Sequence, residues 1–274
     1  MKKCAIITFY SALFLLFSCG GEKRSDDTVA PAITAEENTF YFQDTIKVHE
    51  HSSYPFAGED SPTLTVDITL PTVHLNDTAV SARIDSTLAF GLFEEHTSLQ
   101  DACNRFVDRR KHDFDDMRDE YNNSKVNDVP SFIFSRYDII NGVVHTGYKG
   151  YITYVTAHEE YSGGAHPNTL INVTNFDPSS GGEITLDDIF KAGYEEPLTA
   201  ILTDVLMKKA KVTTIEELHE KGILFSDTEM FVSNNFIPGN DSITFLYNRY
   251  EIAPYAAGEI LLTIDYNTLK EILK

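Results

Sequence analysis

T-A-H-E-E-Y-S-G-G-A-H-P-N-T-L-I-N-V-T-N-F-D-P-S-S-G-G-E-I-T-L-D-D-I-F, residues 156–190, is the stretch from which the fold is read. It holds two apolar-alternating segments joined by a tight turn at Gly163-Gly164, and it ends in a second turn at 177–182. Paired glycines remove the steric penalty on positive φ, so the chain can reverse sharply there. Pro167 pushes His166 out of the helical region, which sets the imidazole on a stiff loop rather than on a helix face. Alternation resumes at Leu170, Asn172, Thr174 and Phe176, as a half-buried strand requires.

Upstream, 131–140 and 143–158 flank Asn141-Gly142, the dipeptide most often found at a two-residue hairpin turn. The second of these segments carries Tyr148, Tyr151 and Tyr154. With 168–176 the expectation is an antiparallel meander of at least three strands. Earlier still, Phe40, Phe42, Ile46 and Val48 alternate, as do Leu64, Val66, Ile68 and Leu70 before Pro71. A helix is expected from Asn76 or Asp77, with Val80, Ile84, Leu88 and Leu92 on one stripe. A second follows an N-cap at Ser98, its stripe running Leu99, Cys103, Phe106, Arg110, Phe114, Met117 and Tyr121. The charges on its other face, from Asp101 through Arg109 to Glu120, read as a solvated surface.

Downstream, Asp187 and Asp188 stand at a helix entry, where carboxylates complement the positive end of the helix. Helices are expected at 195–211 and 214–221, the second closing at Gly222. A hairpin over 231–237 and 242–248, a strand at 259–265 and a short helix at 267–273 complete the chain. Helices grouped apart from hairpins indicate an α+β class, with a mostly antiparallel sheet packed by helices in two closely packed halves. The organisation expected is a signal at 1–18, a lipidated cysteine and tether at 19–38, a strand-helix-helix half at 39–130, and a second half at 131–274.

The N-terminus reads as an address. Lys2 and Lys3 precede an apolar run at 5–17 that is too short to span a bilayer comfortably. Leu16, Ser18, Cys19 and Gly20 fall where a lipoprotein signal places them, so Cys19 is the expected lipid attachment and the chain is held to a membrane rather than threaded through it. Several acyl chains hold far better than one. Gly20 after the cysteine points to the outer membrane or cell surface. Nineteen polar and small residues then form a tether that would reach roughly 60 Å if fully extended. With Cys4 and Cys19 removed or modified, only Cys103 of the three cysteines is left, and no internal disulfide is possible.

Forty-two acidic residues against twenty-two basic ones give a net charge of −20. This disfavours nucleic acid and anionic lipid surfaces as ligands and favours cationic partners, whose encounter it accelerates. No cofactor or metal is expected. His49 and His51 are two histidines alone. His158-Glu159-Glu160 lacks the second histidine that a helical H-E-x-x-H site needs at position 162, and Ser162-Gly163-Gly164 is no nucleophile elbow.

Y-S-G-G-A-H-P-N (161–168), N-F-D followed by T-L-D-D-I-F, and Y-E-I-A-P-Y-A-A-G (250–258) together resemble the extracytoplasmic domain of RsiV-type anti-sigma factors. That domain is similar to one carried by PdaC-type peptidoglycan deacetylases and to stand-alone bacterial lipoproteins. The resemblance runs from about Thr63 to the C-terminus and is stronger after Ile133. It implies a binding or sensing module rather than an enzyme, because the deacetylase chemistry of such proteins lies in a separate domain with its own metal ligands. A direct anti-sigma role is not expected without a spanning helix and a cytoplasmic segment. In RsiV-type proteins the domain binds lysozyme, and this implies Ser162, Gly163, Gly164, His166, Asn168, Tyr250, Pro254 and Tyr255 as partner-contacting residues here. A peptidoglycan glycan is the alternative ligand for the same surface, and a metal-dependent cell-wall hydrolase is a third reading. Both motifs also read as turn geometry serving the strands alone.

Overall fold

The computed structural model describes residues 44–54, 61–124 and 130–274. The signal, Cys19, the tether, Phe40 and Phe42 lie outside the described residues. No helix among the described residues is long and apolar enough to cross a membrane.

The first layer is a five-stranded sheet in the order β1-β2-β3-β4-β5. β1 (Thr45–Ser53) pairs antiparallel with β2 (Thr63–Pro71), placing Ile46 opposite Leu70 and Val48 opposite Ile68. Alternation puts Leu64, Val66, Ile68 and Leu70 on one face, each 1% exposed or less. Each such burial is worth about 2 kcal/mol of transfer free energy. The chain then crosses over that face as α1 (Thr78–Phe93) and α2 (Leu99–Asp116), continuing into α3 (Arg118–Ser124). Asp77 caps α1 through the Ala79 and Val80 N–H groups, and Ser98 caps α2 through that of Asp101. Leu99, Cys103, Phe106 and Phe114 face the sheet as their spacing requires. Cys103 is fully buried, and that burial pushes its thiol up to about 12.

β3 (Arg136–Thr146) returns parallel to β2, with Ile68 opposite Ile140. β4 (Ile152–Tyr161) and β5 (Asn168–Phe176) follow antiparallel, giving a sheet with one parallel pair among four. The expected hairpin at Asn141-Gly142 is not there. β3 runs straight through that dipeptide, and the reversal falls at Tyr148–Gly150, so Tyr148 and Tyr151 belong to the turn and Tyr154 to the strand. The glycine serves packing instead: a Cβ on Gly142 would lie 2.9 Å from both Leu70 Cδ2 and Pro71 Cδ. Residues 131–134 form a 3-10 turn before the strand rather than its beginning.

α4 (Leu186–Ile189) opens with a reciprocal capping box between Thr185 and Asp188. α5 (Glu195–Ala210) and α6 (Ile215–Glu220) follow, then a three-stranded antiparallel sheet of β6 (Phe236–Pro238), β7 (Ser242–Tyr247) and β8 (Ile260–Asp265), and finally α7 (Tyr266–Leu269). The strand expected over 231–237 shrinks to three residues. The observed class is α+β with a mostly antiparallel main sheet, as expected.

Buried side chains form two clusters. One fills the space between the large sheet and α1–α2 and ends at Phe176. The other lies between the small sheet and α4–α6 and begins at Ile184. The joint between the two sheets is made by asparagines. Asn248 accepts from the Ile171 N–H at 2.8 Å, Asn235 accepts from the Val173 N–H at 2.7 Å, and both amides donate to the Ile171 carbonyl. They satisfy the outer edge of β5, which pairs with no other strand among the described residues. The joint also corrects the reading of β5. Its deeply buried residues are Thr169, Ile171 and Asn175 together with Phe176, whereas Leu170 is 44% exposed.

Candidate functional site

The two sequence motifs meet. After β4 the chain enters the loop 162–168, and after β7 it enters the turn 248–258. The His166 ring stacks on Tyr255 with centroids 4.0 Å apart and planes 26° from parallel. The Tyr255 hydroxyl donates to the Pro167 carbonyl at 3.2 Å and accepts from Arg249 Nη1 at 2.8 Å. The Arg249 guanidinium also lies 4.6 Å from the Tyr255 ring centroid and pairs with Glu259 at 2.9 Å. Tyr250 follows at 5.6 Å from Tyr255. His166, Tyr255 and Tyr250 therefore form one aromatic strip across two loops that are 88 residues apart at the Tyr255–Pro167 contact.

Each loop owes its shape to identifiable residues. Gly163 has φ of +92°, and a Cβ there would lie 2.7 Å from the Ile133 carbonyl, which itself accepts from Arg136 at 2.7 Å. Gly164 has φ of +111° in open space. The first glycine is needed twice over, the second only for its backbone. In the other loop, Asn248 N–H donates to Glu251 at 2.7 Å, and Tyr250 N–H donates to the Ala253 carbonyl at 3.1 Å. These bonds hold Tyr250 at φ of +65°, a left-handed conformation that a bulky aromatic rarely adopts. Its ring is 54% exposed. Pro254 leads into the short 3-10 turn Tyr255–Ala257. Ser162 and Asn168 are exposed at the two ends of the first loop and do not join the aromatic strip.

A cleft of about 690 Å³ opens beside Tyr250. Leu88, Gly91 and Leu92 of α1 form one wall, Leu170, Asn172 and Thr174 of β5 form the floor, and Phe231, Asn234 and the 248–251 turn close the far side. The parity of β5 read from the sequence as inward thus lines a groove, and only Phe176 of that set reaches the core.

On the helix-covered face of the sheet, the same face whose Thr156, Leu170 and Asn172 line the cleft, sits a cluster that the sequence gives no reason to assemble. Asp138 on β3, 2% exposed, accepts from Arg110 of α2 at 2.9 Å and lies 2.8 Å from His158 Nε2. Arg110 also donates to Glu160 at 3.1 Å. Burial disfavours the Arg110 charge, but the two carboxylates outweigh this and shift its pKa upward. Asp138, His158 and Glu160 offer ligand atoms within 4.8 Å of one another and are the set among the described residues that could hold a metal ion. Arg110 Nη2 already occupies the space between the carboxylates, so a metal would have to displace a guanidinium. His145 and His166 take no part in this set. Asp138 is absent from any local motif because it meets Glu160 through strand register. Behind the loops, Tyr137 stacks on Tyr161 at 5.7 Å and donates to Glu159 at 2.8 Å. Burial and that carboxylate raise its hydroxyl well above the usual phenol range.

Comparison with known proteins places the chain beside solved relatives of the same fold. Residues 187–267 match the family model described as a protein of unknown function, DUF3298. Over 134 residues, 48% of its length, the chain is 31% identical to the peptidoglycan-N-acetylmuramic acid deacetylase PdaC of Bacillus subtilis and spans 28% of that protein. A crystal structure of a DUF3298 family member from Bacteroides fragilis superposes with a TM-score of 0.76 at 28% identity, covering 86% of this chain and 94% of that one. A second DUF3298 structure, from Pseudomonas aeruginosa, shares the fold with a TM-score of 0.53 at 17% identity, covering 84% of this chain and 94% of that one.

Proposed function

We propose that this chain, which carries a DUF3298 domain and is PdaC-like over 134 residues, is a binding module of the cell envelope. It would be held by lipid on Cys19 at the outer membrane or cell surface. Its contact surface is the aromatic strip made by the 162–168 and 250–258 loops, and its partner is a basic, lysozyme-like protein that acts on the cell wall. The observation that carries this reading is the His166–Tyr255 stack at 4.0 Å, which joins two distant motifs into one exposed surface. Rings fixed in advance lose little entropy on contact, and buried tyrosines are common anchors of protein interfaces. The net charge of −20 favours a cationic partner and a fast encounter.

The test is calorimetric titration of the full chain with a cationic lysozyme at low and at high salt. Association that persists at 0.3 M salt and weakens at least tenfold in Tyr255→Ala and His166→Ala supports the reading. Heat that disappears with salt, or that both variants retain in full, overturns it, because only diffuse attraction between opposite charges would then remain.

A further inference from the structure

The cleft beside Tyr250 has a chemistry different from that of the rest of the surface. Its lining includes two charged side chains, Arg249 and Glu251, and both are engaged: Arg249 with Glu259 and Tyr255, Glu251 with the Asn248 N–H. In a chain of net charge −20, the cleft thus carries one charge of each sign. Asn172 and Asn234 offer amides, and Thr174 offers a hydroxyl. Leu170, Phe231 and Tyr250, three of the seven large hydrophobic side chains exposed among the described residues, border the same cleft. Its volume of about 690 Å³ lies within the roughly 300–1,000 Å³ of ordinary ligand sites.

Amides and hydroxyls beside exposed rings, with the one charge of each sign already engaged, match a ligand that has apolar C–H faces and neutral polar edges. We propose that the cleft binds a neutral chain of sugar rings carrying hydroxyl and amide groups. The rings would lie against Tyr250 and Phe231, and their polar edges would meet Asn172 and Asn234. An anionic polymer would be repelled by the overall charge of the protein, and a cationic one would find a single carboxylate in the cleft lining, that of Glu251, which already accepts from the Asn248 N–H. Tyr250 would serve both the cleft and the strip, since it borders the first and continues the second. Its left-handed backbone is consistent with that duty, because strained conformations gather where a side chain must be aimed. The inference rests on the reading that this region of the molecule is its binding surface, but it names a different ligand and, apart from Tyr250, different residues.

The experiment is calorimetry of the full chain with a neutral tetramer of N-acetylglucosamine, beside its fully deacetylated, cationic counterpart. The expected result is binding of the neutral tetramer that is unchanged between 0.05 and 0.5 M salt. It should weaken at least tenfold in Leu170→Asp and Tyr250→Ala and be unchanged in His166→Ala. Leu170 and Tyr250 are both exposed, so the variants should fold, and an unchanged thermal midpoint checks this. No binding of the neutral tetramer, full binding by Leu170→Asp, or preference for the cationic tetramer would overturn the proposal. Loss of lysozyme association with retention of the sugar would sink the protein-partner reading alone, and the reverse pattern would sink this one alone.

Discussion

The end of β4 carries two clusters back to back, and they are built on opposite principles. On the face toward the helices, His158 and Glu160 join Asp138 and Arg110 in a charged group around a carboxylate that is 2% exposed. On the other face and just past it, Tyr161 leads into the loop where His166 and Tyr255 stack in the open. The first cluster pairs its charges with one another around the buried Asp138. The second keeps His166 and Tyr250 exposed beside a half-buried Tyr255, and one backbone strained. What distinguishes a structural cluster from a contact surface here is thus the state of its partners, not the kinds of residue, since both contain a histidine and both are fed by one strand.

The largest expected effect breaks the first cluster. Arg110→Ala leaves Asp138 buried with only His158 beside it, and removing one partner of a buried pair costs about 3 kcal/mol. Chemical denaturation should show that loss, whereas lysozyme association measured below the unfolding transition should be unchanged. If the variant unfolds no more easily than the parent, the charged group is not structural and the contrast between the faces fails.

The loop glycines sharpen the comparison at a smaller scale. Gly163→Ala combines a left-handed φ with a 2.7 Å clash against the Ile133 carbonyl, so a loss of about 2 kcal/mol is expected. Gly164→Ala meets no atom and should lose about 1 kcal/mol from its backbone alone. Equal losses would mean that the loop does not rest on the 131–134 turn.

These glycines also mark how far the sequence could be read. Gly163-Gly164 reads as a turn and is one, because both glycines carry positive φ, a local property. Asn141-Gly142 reads the same way and lies inside β3, because its glycine answers to Leu70 and Pro71, side chains some seventy residues earlier. The cap at Ser98 and the helix starts at Asp77 and beside Asp187 were legible for the same local reason. The face of β5 was not, since alternation tells which residues share a side and not what covers it. Leu170 and Asn172 share a side with Phe176 as read, but that side opens into the cleft over most of its length. Of the candidate site, the two motifs were visible and their meeting was not. The Asp138 cluster was invisible because strand register, not spacing, assembles it.

Asp85 extends the contrast to a carboxylate without an arginine. It is half-buried on α1 and accepts from the Leu99 N–H at 3.0 Å, and its pKa is raised, chiefly by burial. A carboxylate with a folded-state pKa above the unfolded value makes folding less favourable once pH rises past the unfolded value, because the native state must then hold a charge it disfavours. Asp85→Asn keeps an acceptor for Leu99 and removes that charge. Its thermal midpoint should exceed that of the parent at pH 7 by a degree or two, on the order of 0.5 kcal/mol, and the gain should vanish below about pH 3.5, where the carboxyl is neutral in both states. A gain that persists in acid would trace to packing rather than charge.

The smallest effect on stability belongs to the residue expected to matter most for contact. Tyr250→Gly relieves a left-handed backbone worth about 1–2 kcal/mol and gives up a ring contact with Tyr255 and some chain stiffness of about the same size. The midpoint of denaturation should therefore stay within about 0.5 kcal/mol of the parent. If Tyr250 were there only to shape the turn, glycine would be the better residue and nothing else would change. Under the contact reading, the glycine variant folds as well as the parent and loses at least tenfold in sugar binding. A large drop in stability would instead make Tyr250 part of the scaffold, like Asp138, and would erase the difference between the two clusters.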